Sequence, residues 1–594
     1  MNGPHRHIYD FADFRVDPGQ RLLLHGGVQV AIPPKVFDTL LLLVRQQGKI
    51  LEKQELLLAI WPDTAVEENN LTQNISTLRR ILGDTRAENR FVATISGFGY
   101  RFIAPVEVLD AVSQGQEPTR IAVLPFENLG AGSEREYLAD GLTEETIVAL
   151  GQIDPLHLKV IGRTSVMRYK RTPRTLAEIG EELQAAYLIE SSLRAEGDRL
   201  RITSKLIRVS DQLQIWCASY ESEPVSMFAF QRELSIAIAE QVRLRLSPSR
   251  IRALGRRQTQ SPEAYDLYLH GRHFWNQLTG ATTRRAIEYF TRATNLDPGY
   301  ALAWAGLADC YSSLPIHADI PTLVVMQKAR DAVANALAAD SDLAEVQTAL
   351  GIFKFFLDWD WSAAEDAYRR AIVLDPNYPL VHRMLGIDLS HAGRHSEARS
   401  AMQRARELDP LYVMHQSLSS QIAFAARDFA AAAQFARQAI VIDSEFWIAQ
   451  LHLAQVSVEF GDYEVALDAL NKTGCLSVGN SKILSLRGYI FGKMGRVGEA
   501  LEILQTLEAV GRECYVPPYA MALVHAGLGQ EDLALEHLER ALQLHDVHLI
   551  FLPIDPKWDR FRSNPRFIEV LHSCPFYAYP GSQSTLNSAP FLHS

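Results

Sequence analysis

Residues 379–412 read PLVHRMLGIDLSHAGRHSEARSAMQRARELDPLY. Leu385-Gly386 lie on a first apolar-periodic segment. Ala398, Met402 and Ala405 recur at i, i+4 and i+7, which places them on one face of a second helix. Gly393 suits the C-cap of the first helix. Asp409-Pro410 ends the second, because proline cannot continue a helix. Small residues on the facing stripe let two helices approach closely, so the stretch is predicted to be a helix pair.

The pattern repeats. Alanines stand at 364, 398, 432, 466, 500 and 534, a spacing of 34 residues. Upstream, Ala329 precedes Ala364 by 35 and Ala286 precedes Ala329 by 43. Insertions of one and nine residues, the larger expected near 312–321, restore the phase. Asp297, Asp375, Asp409 and Asp443 close LDP or IDS segments on the same lattice. Over residues 264–545 this resembles the tetratricopeptide repeat. The resemblance implies eight helix pairs stacked into a superhelix with a concave groove. In the family's register Arg383, Ile387, Gln421, Phe424, Leu451, Gln455, Ser485 and Tyr489 face inward, a mixed surface for a protein or peptide partner or a small effector. The Lys/Asn arrangement with which some members hold a peptide C-terminal carboxylate is missing, so chaperone tails are not the expected ligand.

The whole chain has 594 residues and a net charge of −11, with 47% hydrophobic and 22% charged residues. That composition is globular, and the net charge argues against coating nucleic acid by bulk positive charge. Charge acts locally, however. Residues 1–105 hold 12 Lys+Arg against 11 Asp+Glu, and 106–250 hold 17 against 21. The acidic character therefore lies beyond the first hundred residues. Five cysteines without a CxxC pair read as reduced thiols in a cytoplasmic protein. Neither a signal peptide nor a run of ~18 apolar residues is found, so no membrane partner is expected.

Residues 8–105 start with β-like segments at 8–16 and 20–32. Helices follow at 36–46, 53–60 and 68–82, then a hairpin at 91–102 turned near Gly97. On the third helix Leu71, Ile75, Leu78 and Leu82 form the buried stripe. Asn70, Gln73, Asn74, Ser76, Thr77, Arg79 and Arg80 lie elsewhere on it. Trp61-Pro62, LRRILG (78–83) and ISGFGYRF (95–102) resemble the winged-helix effector domain of OmpR/PhoB-type response regulators and CadC/ToxR-type activators. That implies a third helix in the major groove and a hairpin at the adjacent minor groove of double-stranded DNA. Asn and Gln can pair with adenine, and Arg with guanine or phosphate. Gln73, Asn74 and Thr77 are the expected base readers, and Arg79 and Arg80 the expected phosphate contacts. Ser96, Gly97 and Arg101 are the expected wing contacts. Family wings often carry Arg where this chain has Ser96, which implies a weaker minor-groove contact. No receiver domain is seen before the module, so aspartyl phosphorylation has no expected role.

Residues 120–246 alternate strand and helix, run through a β-meander and close with a helix over 227–246. LPFENLG (124–130), EYLADGLTEETIVAL (136–150), VIGRTSV (160–166) and IWCASY (215–220) resemble the TolB-N-terminal-like domain. Asp140, Glu144 and Glu145 are expected at the N-terminal end of a helix over 142–150, where Asp140 or Thr143 would cap it and the acids would favour its dipole. The basic stretch 163–174 is expected to be a solvated loop. No GxxxxGK[ST], HExxH, GxSxG or strand-borne GxGxxG pattern occurs, and His545, Asp546 and His548 read as a surface cluster. Neither an enzyme nor a cofactor or metal is expected.

The predicted protein is multidomain and mainly α. A winged helix-turn-helix (1–106) is followed by a linker (107–119) and an α/β domain (120–246). A second linker (247–262), an α-solenoid (263–545) and a cap and tail (546–594) complete it. The expected function is a bacterial transcription regulator, with RNA polymerase as a further partner. The alternative is a signalling scaffold in which the winged helix is a docking module.

Overall fold

The computed structural model describes residues 7–578 apart from 19–20, 26–27, 31, 62–67, 85–89, 96, 111–117, 131–135, 156, 197–198, 223–226, 243–258, 278 and 474–480. The chain forms two compact units, residues 1–117 and 118–594. Ser96, Pro62, most of both expected linkers and the tail after residue 578 lie outside the described residues.

In the first unit the expected long β segments are four short strands, β1 (His7–Phe11), β2 (Phe14–Asp17), β3 (Leu22–His25) and β4 (Val28–Val30). A turn at Ala12, with φ 48°, separates the first two. There follow α1 (Pro34–Arg45), β5 (Ile50–Glu52), α2 (Lys53–Ile60), α3 (Glu68–Leu82), β6 (Val92–Ile95), β7 (Gly99–Phe102) and β8 (Glu107–Asp110). The first sheet runs β4-β3-β2-β1-β8, and β5-β7-β6 form the second. Residues 107–110 thus belong to the domain rather than to a linker. Strand β8 pairs antiparallel with β1, Tyr9 opposite Val108, and satisfies an otherwise open edge. The core joins Leu71, Ile75, Leu78 and Leu82 to Val36, Leu40 and Leu43 of α1. Phe11 packs edge-on against Phe91 and Phe102. Each such side chain contributes roughly 1.5–3 kcal/mol on burial.

The second unit begins with a mixed sheet. Strand β9 (Thr119–Val123) lies parallel to β11 (Leu158–Val160) and β12 (Tyr187–Glu196). Strands β12, β13 (Arg199–Arg208) and β14 (Leu213–Ser222) form the predicted meander, and the two-residue β10 (Glu127–Asn128) also pairs with β12. The helix expected at 142–150 spans Glu136–Ile153, so Asp140, Glu144 and Glu145 sit inside it and cap nothing. Thr143 instead accepts the Phe126 N–H at 3.0 Å and donates to the Ala139 carbonyl.

Those acids tie this sheet domain to the solenoid. Glu144 pairs with Arg272 of the first solenoid helix (Pro262–Trp275) and with Arg163 at 3.3 Å, and accepts from Asn276 at 3.2 Å. Tyr265 donates to Glu145 at 2.6 Å. Lys170 pairs with Asp140 and Glu136 at 2.5 and 2.7 Å, so the basic stretch is an ion-paired surface and not a free loop. Burial alone would push the Glu144 carboxyl up, but Arg272 and Arg163 hold it below the usual range. A second attachment uses the repeat corners. Asp297, Asp375 and Asp443 each accept the N–H two residues on at 2.9–3.0 Å, which turns the chain after the helix. Asp409 instead accepts the Ser165 N–H at 2.7 Å, while Asn377 donates to the carbonyls of Gly151 and Leu158. The sheet domain and solenoid are therefore one packed body.

Among the described residues the solenoid has eight helix pairs, from Pro262–Trp275 to Glu531–Gln543. The lattice alanines from 286 to 534 are all fully buried. A Cβ on Gly386 would lie 3.2 Å from the Ala398 carbonyl oxygen, which shows how close the paired helices run. The nine-residue insertion makes no loop. It lengthens Ala301–Ala318 and Thr322–Ala339 to 18 residues each, against 13 and 14 in Ala344–Phe356 and Trp361–Leu374.

Asp388, on Pro379–His391, is fully buried, and neither carboxylate oxygen has a hydrogen-bond partner among the described residues. Burial, and then the nearby Glu365, push its carboxyl well above the usual range against the pull of Arg394 and Arg369. The native state therefore keeps a proton that the unfolded chain releases near pH ~3.9. Its contribution is full below that pH and is lost as pH rises through the native value, by at most about 1.4 kcal/mol per pH unit. Asp388→Asn is expected to raise the melting temperature more at pH 8 than at pH 5. An equal change at both pH values contradicts this.

Candidate functional site

Opposite the buried stripe of α3, Asn69, Gln73, Ser76 and Arg80 fall at i, i+4, i+7 and i+11, and all four are exposed. Among the described residues the Arg80 side chain has neither a hydrogen bond nor an ion pair. Asn70 and Thr77 flank this row. Two predicted contacts also serve the fold. Asn74 leans toward α1 and donates to Thr39 Oγ1 at 3.3 Å. Arg79 reaches the hairpin, donating to the Val92 carbonyl at 2.8 Å and to Thr94 Oγ1 at 2.7 Å. Asn69 was not predicted. It stands on the same i, i+4, i+7 series as Gln73, and the helix period alone would have found it.

The hairpin is held against α3 from two sides. Asp84, just past the helix, accepts the N–H groups of Arg90, Phe91 and Val92 at 2.8–3.1 Å. Gly97 makes the turn with φ 81°. A Cβ on Gly99 would lie 1.9 Å from the Leu51 carbonyl oxygen, so only glycine lets β5 pair here. Between them Phe98 is 64% exposed at the tip, a residue the sequence reading passed over. Arg101 on β7 is half-buried, its Nε without a partner among the described residues.

In the second unit Arg383, Ile387, Gln421, Phe424, Leu451, Gln455 and Ser485 come together around one cavity of about 240 Å3. Tyr489 does not line it and packs in the core. The spiral closes on itself. Ser481 donates to Asp319 at 2.8 and 3.0 Å, and His545 bonds the Leu357 carbonyl at 2.7 Å while stacking on Trp359. The C-terminal segment fills the concave face. Arg427 pairs with Asp559 at 2.7 Å, Trp361 stacks on Phe576, and Lys557 lies over the Phe424 ring. Asp546 and His548, expected on the surface, are buried, with His548 bonded to Asp546 at 2.8 Å. Among the described residues no group of three His, Cys, Asp or Glu is placed to hold a metal. No helix among them is long and apolar enough to cross a membrane.

Residues 27–102 match the family described as transcriptional regulatory protein, C terminal, and residues 383–445 match a tetratricopeptide repeat family. The chain carries an OmpR/PhoB-type winged-helix DNA-binding domain and a tetratricopeptide region. The chain is 26% identical over 392 residues to transcriptional regulator HilA of Salmonella typhi, covering 65% of this chain and 68% of that protein. It is 32% identical over 188 residues to putative adenylate cyclase 3 of Rhizobium meliloti (strain 1021), 32% of each protein. The solved DNA-binding domain of E. coli CadC is 25% identical, covers 18% of this chain and all of that one, and gives a TM-score of 0.17. The matched family segments leave the sheet domain at 119–241 without an identified fold family, and neither matched domain is catalytic.

The winged-helix domain thus contains a polar helix face, on it an arginine without a partner among the described residues, and a hairpin fixed by Arg79. Removing Arg79 leaves the Val92 carbonyl without its charged donor. Such a bond contributes about 1.5–3 kcal/mol. Arg79→Ala is expected to destabilise the first unit by that much and so lower its melting temperature, and an unchanged melting temperature contradicts the anchoring role.

Proposed function

We propose that the chain is a transcription regulator that reads DNA through α3, with hairpin β6–β7 over the neighbouring minor groove. The observation that carries this is the exposed Asn69–Gln73–Ser76–Arg80 row opposite an apolar stripe locked into the core. Gln73 and Thr77, with Asn69 and Asn70, are the base readers. Arg80 neutralises phosphate, and Arg79 sets the wing's position while lending charge to the groove. The repeats receive the input, a protein or small effector that alters DNA occupancy or polymerase contact. The likeness to HilA supports this order of parts, because its 392 aligned residues extend far beyond the 117 of the first unit. A TolB-N-terminal-like domain between output and input is part of this reading, on the motifs at 124–130, 136–150, 160–166 and 215–220.

Footprinting of the full chain on the DNA upstream of its own coding sequence tests the proposal. A protected site that disappears in Gln73→Ala/Arg80→Ala is expected. A second reading, the docking scaffold, is favoured by Phe98 and by Leu58, which is 71% exposed on α2. It requires that no DNA be protected.

A further inference from the structure

The cavity inside the closed spiral is small for an extended peptide. Residues 547–561 occupy the concave face along which a peptide would run. The remaining 240 Å3 lies below the ~300–1,000 Å3 of drug-sized sites. Its walls are mainly apolar, with Phe356, Met384, Ile387, Leu418, Leu451 and Phe551 among them.

Its charge is unevenly matched. Lys557 is paired with Asp555 at 2.7 Å. Arg383 has no hydrogen bond or ion pair among the described residues, and its guanidinium lies only over the Tyr412 ring, at 5.2 Å. The second cation, Lys482, donates to the Ile316 carbonyl, sits 6.0 Å over the Trp447 ring and feels Asp319. Burial pushes Lys482 down to about 8. Burial, and then the fields of Lys482 and Arg383, push the adjoining His317 down to about 3. The two cations therefore share one neighbourhood. The buried Asp309, raised to about 7 by burial against the pull of Arg272 and Arg383, makes no ion pair with Arg383. A half-buried guanidinium without an anion is costly unless a ligand supplies one, and its planar fork matches a carboxylate.

We propose that this cavity is a receptor site for a small amphipathic carboxylate, its apolar body among the aliphatic and phenyl side chains and its carboxylate on Arg383 and Lys482. This rests on the repeats being the input half of the regulator only for the consequence of binding, not for binding itself.

Calorimetry of the full chain with 4-phenylbutanoate, decanoate and the neutral 4-phenylbutan-1-ol tests it. At least one acid is expected to bind saturably, and more tightly than the alcohol. Arg383→Gln or Lys482→Gln should weaken the acid at least tenfold and leave the alcohol unchanged. Leu451→Trp, which adds bulk to an apolar wall of the cavity, should abolish binding of both, with circular dichroism confirming the fold. No saturable binding of either acid overturns the proposal. So does equal affinity for acid and alcohol, or an acid affinity indifferent to all three substitutions. Acid binding with unchanged DNA affinity supports the site and counts against the input role.

Discussion

Replacing Arg272 with alanine is expected to destabilise the second unit by about 3–5 kcal/mol. Its guanidinium is largely buried and pairs with Glu144, itself held by Arg163 and Asn276. Truncation leaves a buried carboxylate with Arg163 as its nearest remaining cation. Burial would then drive that carboxyl upward, since Arg272 contributes the largest of the opposing effects. Arg272→Met/Glu144→Leu, which removes both charges together, should recover most of the loss, because a buried pair adds little net stability over an apolar replacement. Denaturant unfolding of the full chain checks this. A loss below about 1 kcal/mol for Arg272→Ala would mean that the sheet domain and the first repeat do not depend on this network.

The second large effect is expected in DNA recognition. Gln73→Ala removes one side chain able to make two hydrogen bonds to an adenine edge, and should cost about 1–3 kcal/mol at one base pair. The preference at that position should relax while the rest of the site is read as before. Arg80→Ala should instead weaken all sequences about equally, since a phosphate contact carries no sequence information. Arg79→Ala should behave differently from both, lowering stability together with affinity because the side chain fastens the hairpin to α3. Competition binding with single-base variants separates the three. A sequence-specific loss on Arg80→Ala, or a uniform one on Gln73→Ala, would reverse the assigned roles.

Much of this was legible in the sequence, and the misses have physical causes. The 34-residue alanine lattice located the helix pairs because a residue at a helix–helix contact has one size that fits. The apolar stripe of α3 was legible for a similar reason, since one buried face fixes the period. Partners distant in sequence were not legible. Glu144 and Arg272 are 128 residues apart, and Asp409 and Ser165 are 244 apart. Nothing in local spacing tells a helix-capping carboxylate from one that meets an arginine across an interface. Arg79, like Arg80, read as a phosphate contact because both are cations off the apolar stripe, and only the fold brings the Val92 carbonyl to Arg79. The residues named from the register, Tyr489 excepted, come together around the cavity. That the groove closes was hidden in the C-terminal 48 residues, where Trp558, Phe561 and Phe567 follow no repeat.

The net charge of −11 is a poor guide to partners, because an acidic repeat body and a near-neutral reader domain answer to different local fields. The most direct test of the central claim is a salt titration of the full chain on the DNA upstream of its own coding sequence, with Arg80→Ala measured beside it. The logarithm of the binding constant should fall linearly with the logarithm of salt concentration, and Arg80→Ala should reduce the slope by about one. A flat salt response, or a slope that Arg80→Ala does not change, would contradict DNA recognition by α3.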